Sequence, residues 1–133
     1  MDGSRKASIL MVVDDPTVAR LISFCLEREN FHVRHAADGE QALKEFATAQ
    51  IPDLVFLDVM LPYHSGYALL ANLRERTGWA SVPVIMLITS DRDEDVDKAL
   101  SAGADGCLAK PFSPAELAVR IRTLLCAVPE TEQ

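Results

Sequence analysis

The sequence predicts a single α/β domain built on a doubly wound, five-stranded parallel sheet with five helices. Three observations carry this. Short apolar runs and amphipathic stretches alternate five times along the chain; several runs are apolar throughout, as strands covered on both faces must be; and 133 residues is the length of one such unit. Parallel strands need right-handed helical crossovers that cover both faces of the sheet, so the alternation implies the winding.

Ile9 to Val13 is a continuous apolar run stopped by Asp14-Asp15-Pro16, and reads as a buried first strand. From Pro16 the period changes: Val18, Leu21, Ile22, Cys25 and Leu26 recur at three and four, with proline near the start where its missing N–H costs little. Phe31 to Arg34 alternates like an exposed edge strand, whereas Leu54 to Leu57 and Val84 to Ile88 are apolar throughout, like central ones. Gly106 to Ala109, rich in small residues, reads as a short fifth strand. The helical patterns between them cover Gly39 to Thr48, Gly66 to Arg76, Glu94 to Ala102 and Pro114 to Ala127. The last has Leu117, Ile121, Leu124, Leu125 and Val128 on one stripe. The organisation expected is a disordered N-terminal segment over 1–8, one domain over 9–127 and a C-terminal tail over 128–133.

Composition excludes several classes. With 13 basic and 20 acidic residues the net charge is −7, a field that repels nucleic-acid phosphates and anionic membrane. Cys25, Cys107 and Cys126 are odd in number and lack CxxC spacing, which fits a reducing cytoplasm rather than a disulfide framework or a zinc site. The longest apolar stretch, Val82 to Ile88 around Pro83, is too short to span a bilayer, and the polar start has no signal-peptide core. With only a few polar residues after the last helix, too few for an output module, output is expected to come through a partner.

In open parallel sheets the ligand site lies at the carboxyl ends of the strands, near the point where strand order reverses. Asp14 and Asp15 follow the first strand, Asp58 ends the third, Thr89 and Ser90 follow the fourth, and Lys110-Pro111 follows the fifth. Converging carboxylates repel one another, and sharing an oxygen-seeking divalent cation, Mg²⁺ or Mn²⁺, relieves this. An aspartate held against such a cation with a lysine ammonium nearby is placed to attack phosphorus, giving an aspartyl phosphate. Any one of these aspartates alone would read as a turn former or helix cap; their coincidence with a hydroxyl and an amine at strand ends argues for a site. A Lys-Pro step fixes the backbone locally and is compatible with a cis bond. Asp38-Gly39 reads as an ordinary turn and cap, and His32, His35 and His64, which lack metal-ligand spacing, read as surface or loop residues.

With these residues in view, the sequence resembles the response-regulator receiver family of two-component signalling from Ile9 to about Leu125. The carrying segments are Val12-Val13-Asp14-Asp15-Pro16, Pro52 to Pro62 with Gly66 beyond, Val82 to Leu87, and Gly103-Ala104-Asp105 leading to Lys110-Pro111-Phe112. The resemblance implies a flavodoxin-like, CheY-like sheet of order 2-1-3-4-5. It also implies Asp58 as phosphoacceptor, Asp14 as a metal carboxylate, the Met60 backbone carbonyl as a further metal ligand and Lys110 as the phosphate-pairing lysine. The partners implied are a histidine kinase or phosphotransfer protein and a downstream effector protein or output domain, and a homodimer through the fourth and fifth helices is compatible with it. Such a domain is not an enzyme for a separate substrate; it catalyses only its own phosphorylation and dephosphorylation.

Three positions depart from the family pattern. Aligning Pro16 without a gap puts Val13 where the first of two acids belongs and leaves Asp14 and Asp15 in the second and third places; a one-residue slip would restore an acidic pair. Counting back from Lys110 puts Ile88 where a hydroxyl ends the fourth strand, with Thr89 one place later. A one-residue shift reverses the face a side chain occupies, so either a bulge turns Thr89 inward or the phosphoryl group loses that hydrogen bond. Cys107 replaces the switch aromatic. With Ile88 and Ser90 it forms the candidate switch region, and Lys98 and the Arg120/Arg122 region are candidates for the output surface. Two rivals follow: a phosphorylation-independent pseudo-receiver used for interaction or dimerisation, and an aspartate-nucleophile phosphohydrolase, which Met60 argues against because a second aspartate is needed there.

Overall fold

Where the sequence is apolar without interruption the chain forms central strands, and where apolar residues fall at helical spacing it forms the helices that cover them. A computed structural model describes residues 7–48, 50–90 and 92–127, with side chains up to 125. In chain order the elements are β1 (Ser8–Val12), α1 (Pro16–Arg28), β2 (His32–Ala36), α2 (Gly39–Phe46), β3 (Leu54–Asp58), β4 (Met60–Leu61), β5 (His64–Ser65), α3 (Gly66–Arg74), β6 (Val84–Ile88), α4 (Asp93–Ser101), β7 (Gly106–Ala109) and α5 (Pro114–Ala127). The main sheet has five parallel strands in the order β2-β1-β3-β6-β7, which is the expected order 2-1-3-4-5.

Side-chain alternation along the strands divides the core in two. Leu10, Val12, Val55, Leu57, Val84, Met86 and Ile88 pack on one face against Ala42 and Phe46 of α2, Leu69, Leu70 and Leu73 of α3 and Ala99 of α4. Ile9, Met11, Leu54, Phe56, Ile85, Leu87 and Leu108 pack on the other against Ile22 and Leu26 of α1 and Leu117 and Ile121 of α5. Each fully buried Leu or Ile contributes about 1.5–3 kcal/mol, so the two faces together hold the sheet.

Several boundaries differ from the sequence reading. Ser8, inside the segment expected to be disordered, belongs to β1, and its amide donates to Asp53 Oδ2 at 2.7 Å. Residues 1–6 of that segment, and the tail 128–133 with Val128, lie outside the described residues. β2 runs from His32 to Ala36 because its register on β1, Ser8↔His32 to Val12↔Ala36, sets its extent. Helices α2 and α3 stop earlier than expected, at Phe46 and Arg74. The antiparallel ribbon β4-β5 has no counterpart in the sequence reading; strands of two residues are too short to show a period.

The amino-terminal edge of the sheet is tied by Arg74. Its Nη1 donates to the carbonyls of Ala80 and Val82 at 3.1 and 2.6 Å, Nη2 to Gly103 O at 2.7 Å and Asp105 Oδ2 at 3.0 Å, and Nε to Gly103 O at 3.3 Å. Asp105 Oδ2 also accepts from Val84 N at 2.9 Å. At this same edge Trp79 is 1% exposed, its ring centroid 5.2 Å from that of Phe46 and its Nε1–H directed at the Thr48 carbonyl.

Candidate functional site

The carboxyl-terminal edge is built differently. Asp58 is the last residue of β3 and is 1% exposed, the one charged residue that is buried among those described. Its Oδ2 accepts from Lys110 Nζ at 2.9 Å and its Oδ1 from the Met60 amide at 3.0 Å. Lys110 follows β7, and its own amide donates to the Ile88 carbonyl at 2.8 Å, which fixes the chain just before the cis Lys110-Pro111 bond. Burial of a carboxylate is costly unless it is paired and hydrogen-bonded, and here both conditions are met.

The turn after Asp58 is closed by the β4-β5 ribbon, in which Met60 pairs with Ser65 and Leu61 with His64. Gly66 then starts α3, and its amide donates to the Val59 carbonyl at 3.0 Å. A Cβ at Gly66 would collide with the Asp58 carbonyl and lie 2.6 Å from Val59 Cα, so glycine is what allows the ribbon to close against the acceptor.

Register places the remaining predicted residues. Val12 pairs with Leu57, so Val13 comes level with Asp58 and Asp14 one residue beyond; Val13 is fully buried in the α1/α5-side core, while Asp14 is exposed. Asp15 is the N-cap of α1, its Oδ1 accepting from Thr17 N at 2.9 Å and Val18 N at 3.5 Å, with Pro16 as the first helical residue. The structure thus has Val13 in the core, Asp14 exposed and Asp15 engaged by the helix. Among the described residues no group of three His, Cys, Asp or Glu side chains is close enough to hold a metal ion.

At the end of β6 the strand is regular. Ile88 pairs with Ala109 and is 2% exposed on the α2/α3/α4 side of the sheet, so no bulge turns Thr89 inward. Thr89 is exposed and lines an open groove of about 370 Å³ with Val18, Leu21, Lys110, Pro111 and Phe112. Ser90 Oγ accepts from Arg92 N at 3.1 Å, a local bond at the approach to α4. Cys107 pairs with Met86, on the same face as Ile88, and burial pushes its thiol above the usual value, an effect Arg120 partly offsets. Tyr67 of α3 packs against the same cluster, with Lys98 Nζ 4.8 Å from its ring centroid. Burial raises the Tyr67 phenol, and Asp95 and Cys107 raise it further.

Of the histidines, His32 and His35 are exposed, although His35 Nε2 lies 2.8 Å from the Val13 carbonyl. His64 is half-buried against Gly39. Sequence reasoning missed that contact; the only signal for it was a glycine directly after the Asp38 cap.

Comparison with known proteins decides the family. The family model for the response regulator receiver domain matches residues 9–122. The chain belongs to the response-regulator receiver family. This receiver is 39% identical over 117 residues to the alkaline phosphatase synthesis transcriptional regulatory protein PhoP of Bacillus subtilis, covering 88% of this chain and 48% of that protein. It therefore spans about half the length of such relatives. Among solved structures, the chemotaxis response regulator CheY4 of Vibrio cholerae superposes with TM-score 0.85 at 29% identity, covering 91% of the receiver and 100% of CheY4. The receiver domain of sensor histidine kinase PA1611 from Pseudomonas aeruginosa, whose structure has a magnesium ion coordinated in the active site cleft, superposes with TM-score 0.82 at 30% identity, covering 91% and 98%. No helix among the described residues is long and apolar enough to cross a membrane.

Proposed function

We propose that this receiver accepts a phosphoryl group on Asp58 from the phosphohistidine of a histidine kinase or phosphotransfer protein, in a reaction that requires Mg²⁺ or Mn²⁺, and signals in the cytoplasm through altered protein–protein contacts. The observation that carries this reading is the buried Asp58 carboxylate, held by Lys110 on one oxygen and the Met60 amide on the other, at the carboxyl edge of the sheet. A carboxylate offers about four acceptor positions, so Asp58 keeps capacity for further partners.

The donor set fits a hard cation. Asp58, Asp14 and the Met60 carbonyl supply oxygen alone, which suits Mg²⁺ or Mn²⁺ with waters completing the shell and does not suit zinc or copper. Asp15 is left out because its carboxylate caps α1. With Val13 in place of an acid, one negative charge is missing and affinity is correspondingly lower. When bound, the cation supplies neutralisation of charge on the transferring group.

The chain's own residues account for the rest. An Asp58 oxygen attacks phosphorus as the bond to the donor's imidazole nitrogen breaks, and the histidine leaves neutral or takes up a proton from solvent. Lys110, a single ammonium with three protons, shifts from the carboxylate to an oxygen of the phosphoryl group as charge moves outward. The new group adds a charge of about −1.5 to −2 and biases a two-state surface toward an effector protein or output domain. The relatives' description as transcriptional regulators makes transcriptional control the most direct reading of that output.

The test is intact-protein mass spectrometry after incubation with acetyl phosphate or phosphoramidate, in Mg²⁺ and in EDTA. A metal-dependent gain of one phosphoryl group that is lost in Asp58→Asn is expected. One observation favours a second reading: Ile88 presents a packed hydrocarbon where a hydroxyl would face the new phosphate. If no phosphoryl group is gained and Asp58→Asn keeps full partner binding, the domain is a phosphorylation-independent interaction module.

A further inference from the structure

The ribbon that follows Asp58 is reached from another element by the contact between His64 and Gly39. Gly39 opens α2, a helix end fixed by Asp38 Oδ1 accepting from Gln41 N at 2.8 Å. A Cβ at Gly39 would lie 2.7 Å from His64 Cβ and closer still to its ring, so the ring rests directly on the backbone of the helix start. Because the clash would include the base of the side chain, rotation of the imidazole alone does not relieve it. His64 pairs with Leu61, and its neighbour Ser65 pairs with Met60. The ribbon is therefore held at its root by Gly66 against Asp58 and from the side by His64 against α2.

We infer that His64, seated on Gly39, is a positioning residue that sets where the Met60 segment stands relative to Asp58. Resting on the reading of Asp58 as a metal-assisted phosphoacceptor, it deepens that reading by assigning the support of one ligand. Two groups of Met60 depend on this placement: the amide that donates to Asp58 Oδ1 at 3.0 Å, and the carbonyl proposed to meet the cation. Groups that orient ligands from behind typically alter metal affinity about 10- to 100-fold when removed.

The test compares wild type, Gly39→Ala, His64→Ala and the double variant Gly39→Ala/His64→Gly. The first readout is the exchange rate of the Met60 amide by NMR in metal-free protein, and the second is Mg²⁺ affinity by calorimetry. Faster Met60 exchange and about tenfold weaker Mg²⁺ binding are expected in both single variants. In the double variant, which makes room for the added methyl but also lacks the imidazole, the two losses should not add: both readouts should stay near those of His64→Ala. Because His64→Ala removes atoms without creating a clash, it keeps the test informative should Gly39→Ala fold poorly. Unchanged Met60 exchange in folded His64→Ala overturns the inference. Wild type that takes up neither Mg²⁺ nor phosphoryl group, while Met60 still responds to positions 39 and 64, overturns the phosphoacceptor reading and leaves the coupling standing.

Discussion

Two of the ion pairs that join distant parts of the chain, Arg74–Asp105 and Lys110–Asp58, lie at opposite edges of the sheet and differ in how fully their polar atoms are used. At the amino edge Arg74 is saturated: all three guanidinium nitrogens donate, to three carbonyls and the Asp105 carboxylate, and the same carboxylate oxygen takes the Val84 amide. At the carboxyl edge each Asp58 oxygen takes one bond, from Lys110 and from the Met60 amide. Yet Asp58 is the more buried of the two acids, 1% exposed at its side chain against 45% for Asp105. Burial with spare acceptor capacity marks a group kept for a further partner, whereas saturation marks a tie between elements.

The largest expected effect separates the pairs by chemistry. Lys110→Ala should slow phosphoryl uptake from acetyl phosphate by about 100-fold, read by mass spectrometry over time; an unchanged rate would remove Lys110 from the reaction. Arg74→Ala should instead cost about 2–3 kcal/mol in urea denaturation while uptake by the folded protein stays as in wild type. A loss of uptake in folded Arg74→Ala would mean that the two edges are coupled.

Smaller effects sharpen the contrast at β6 and β7. Ile88→Thr should lower stability by about 1–2 kcal/mol, because a hydroxyl enters an apolar cluster. Phosphorylation or beryllofluoride should raise its melting temperature more than it raises that of wild type, since the hydroxyl then gains a partner; an equal rise would show that position 88 does not reach the site. At Cys107 burial favours the neutral thiol, so the folded-state value lies above the unfolded one. Its contribution to stability is complete below the unfolded value and is lost as pH rises through the folded value. The midpoint of its alkylation profile, followed by peptide mapping, should accordingly lie at higher pH in the folded protein than in urea.

Much of this was legible in sequence, and what was not has a physical reason. Uninterrupted apolar runs marked β1, β3 and β6, and the acids and lysine at strand ends marked Asp58 and Lys110, because both signals are local. Strand parity then decided what counting could not: β6 stays in register to Ile88↔Ala109, which leaves Thr89 exposed. Asp15 could be read as ligand or cap until Thr17 and Val18 were seen to claim it. The Arg74 tie spans 29 and 31 residues to Gly103 and Asp105, and the Gly39–His64 contact joins α2 to a ribbon of two-residue strands. Neither has a period or a motif.

The placement of Trp79 governs how this protein can be watched. It is the sole tryptophan, sealed against Phe46 at the edge of the sheet opposite Asp58, a strand's length of about 15 Å from the acceptor. Its emission is a reporter of unfolding, when the indole meets water, and is poorly placed to register cation uptake. An optical titration of the acceptor calls for a second fluorophore near the exposed Tyr63, with Trp79 kept as the internal gauge of integrity.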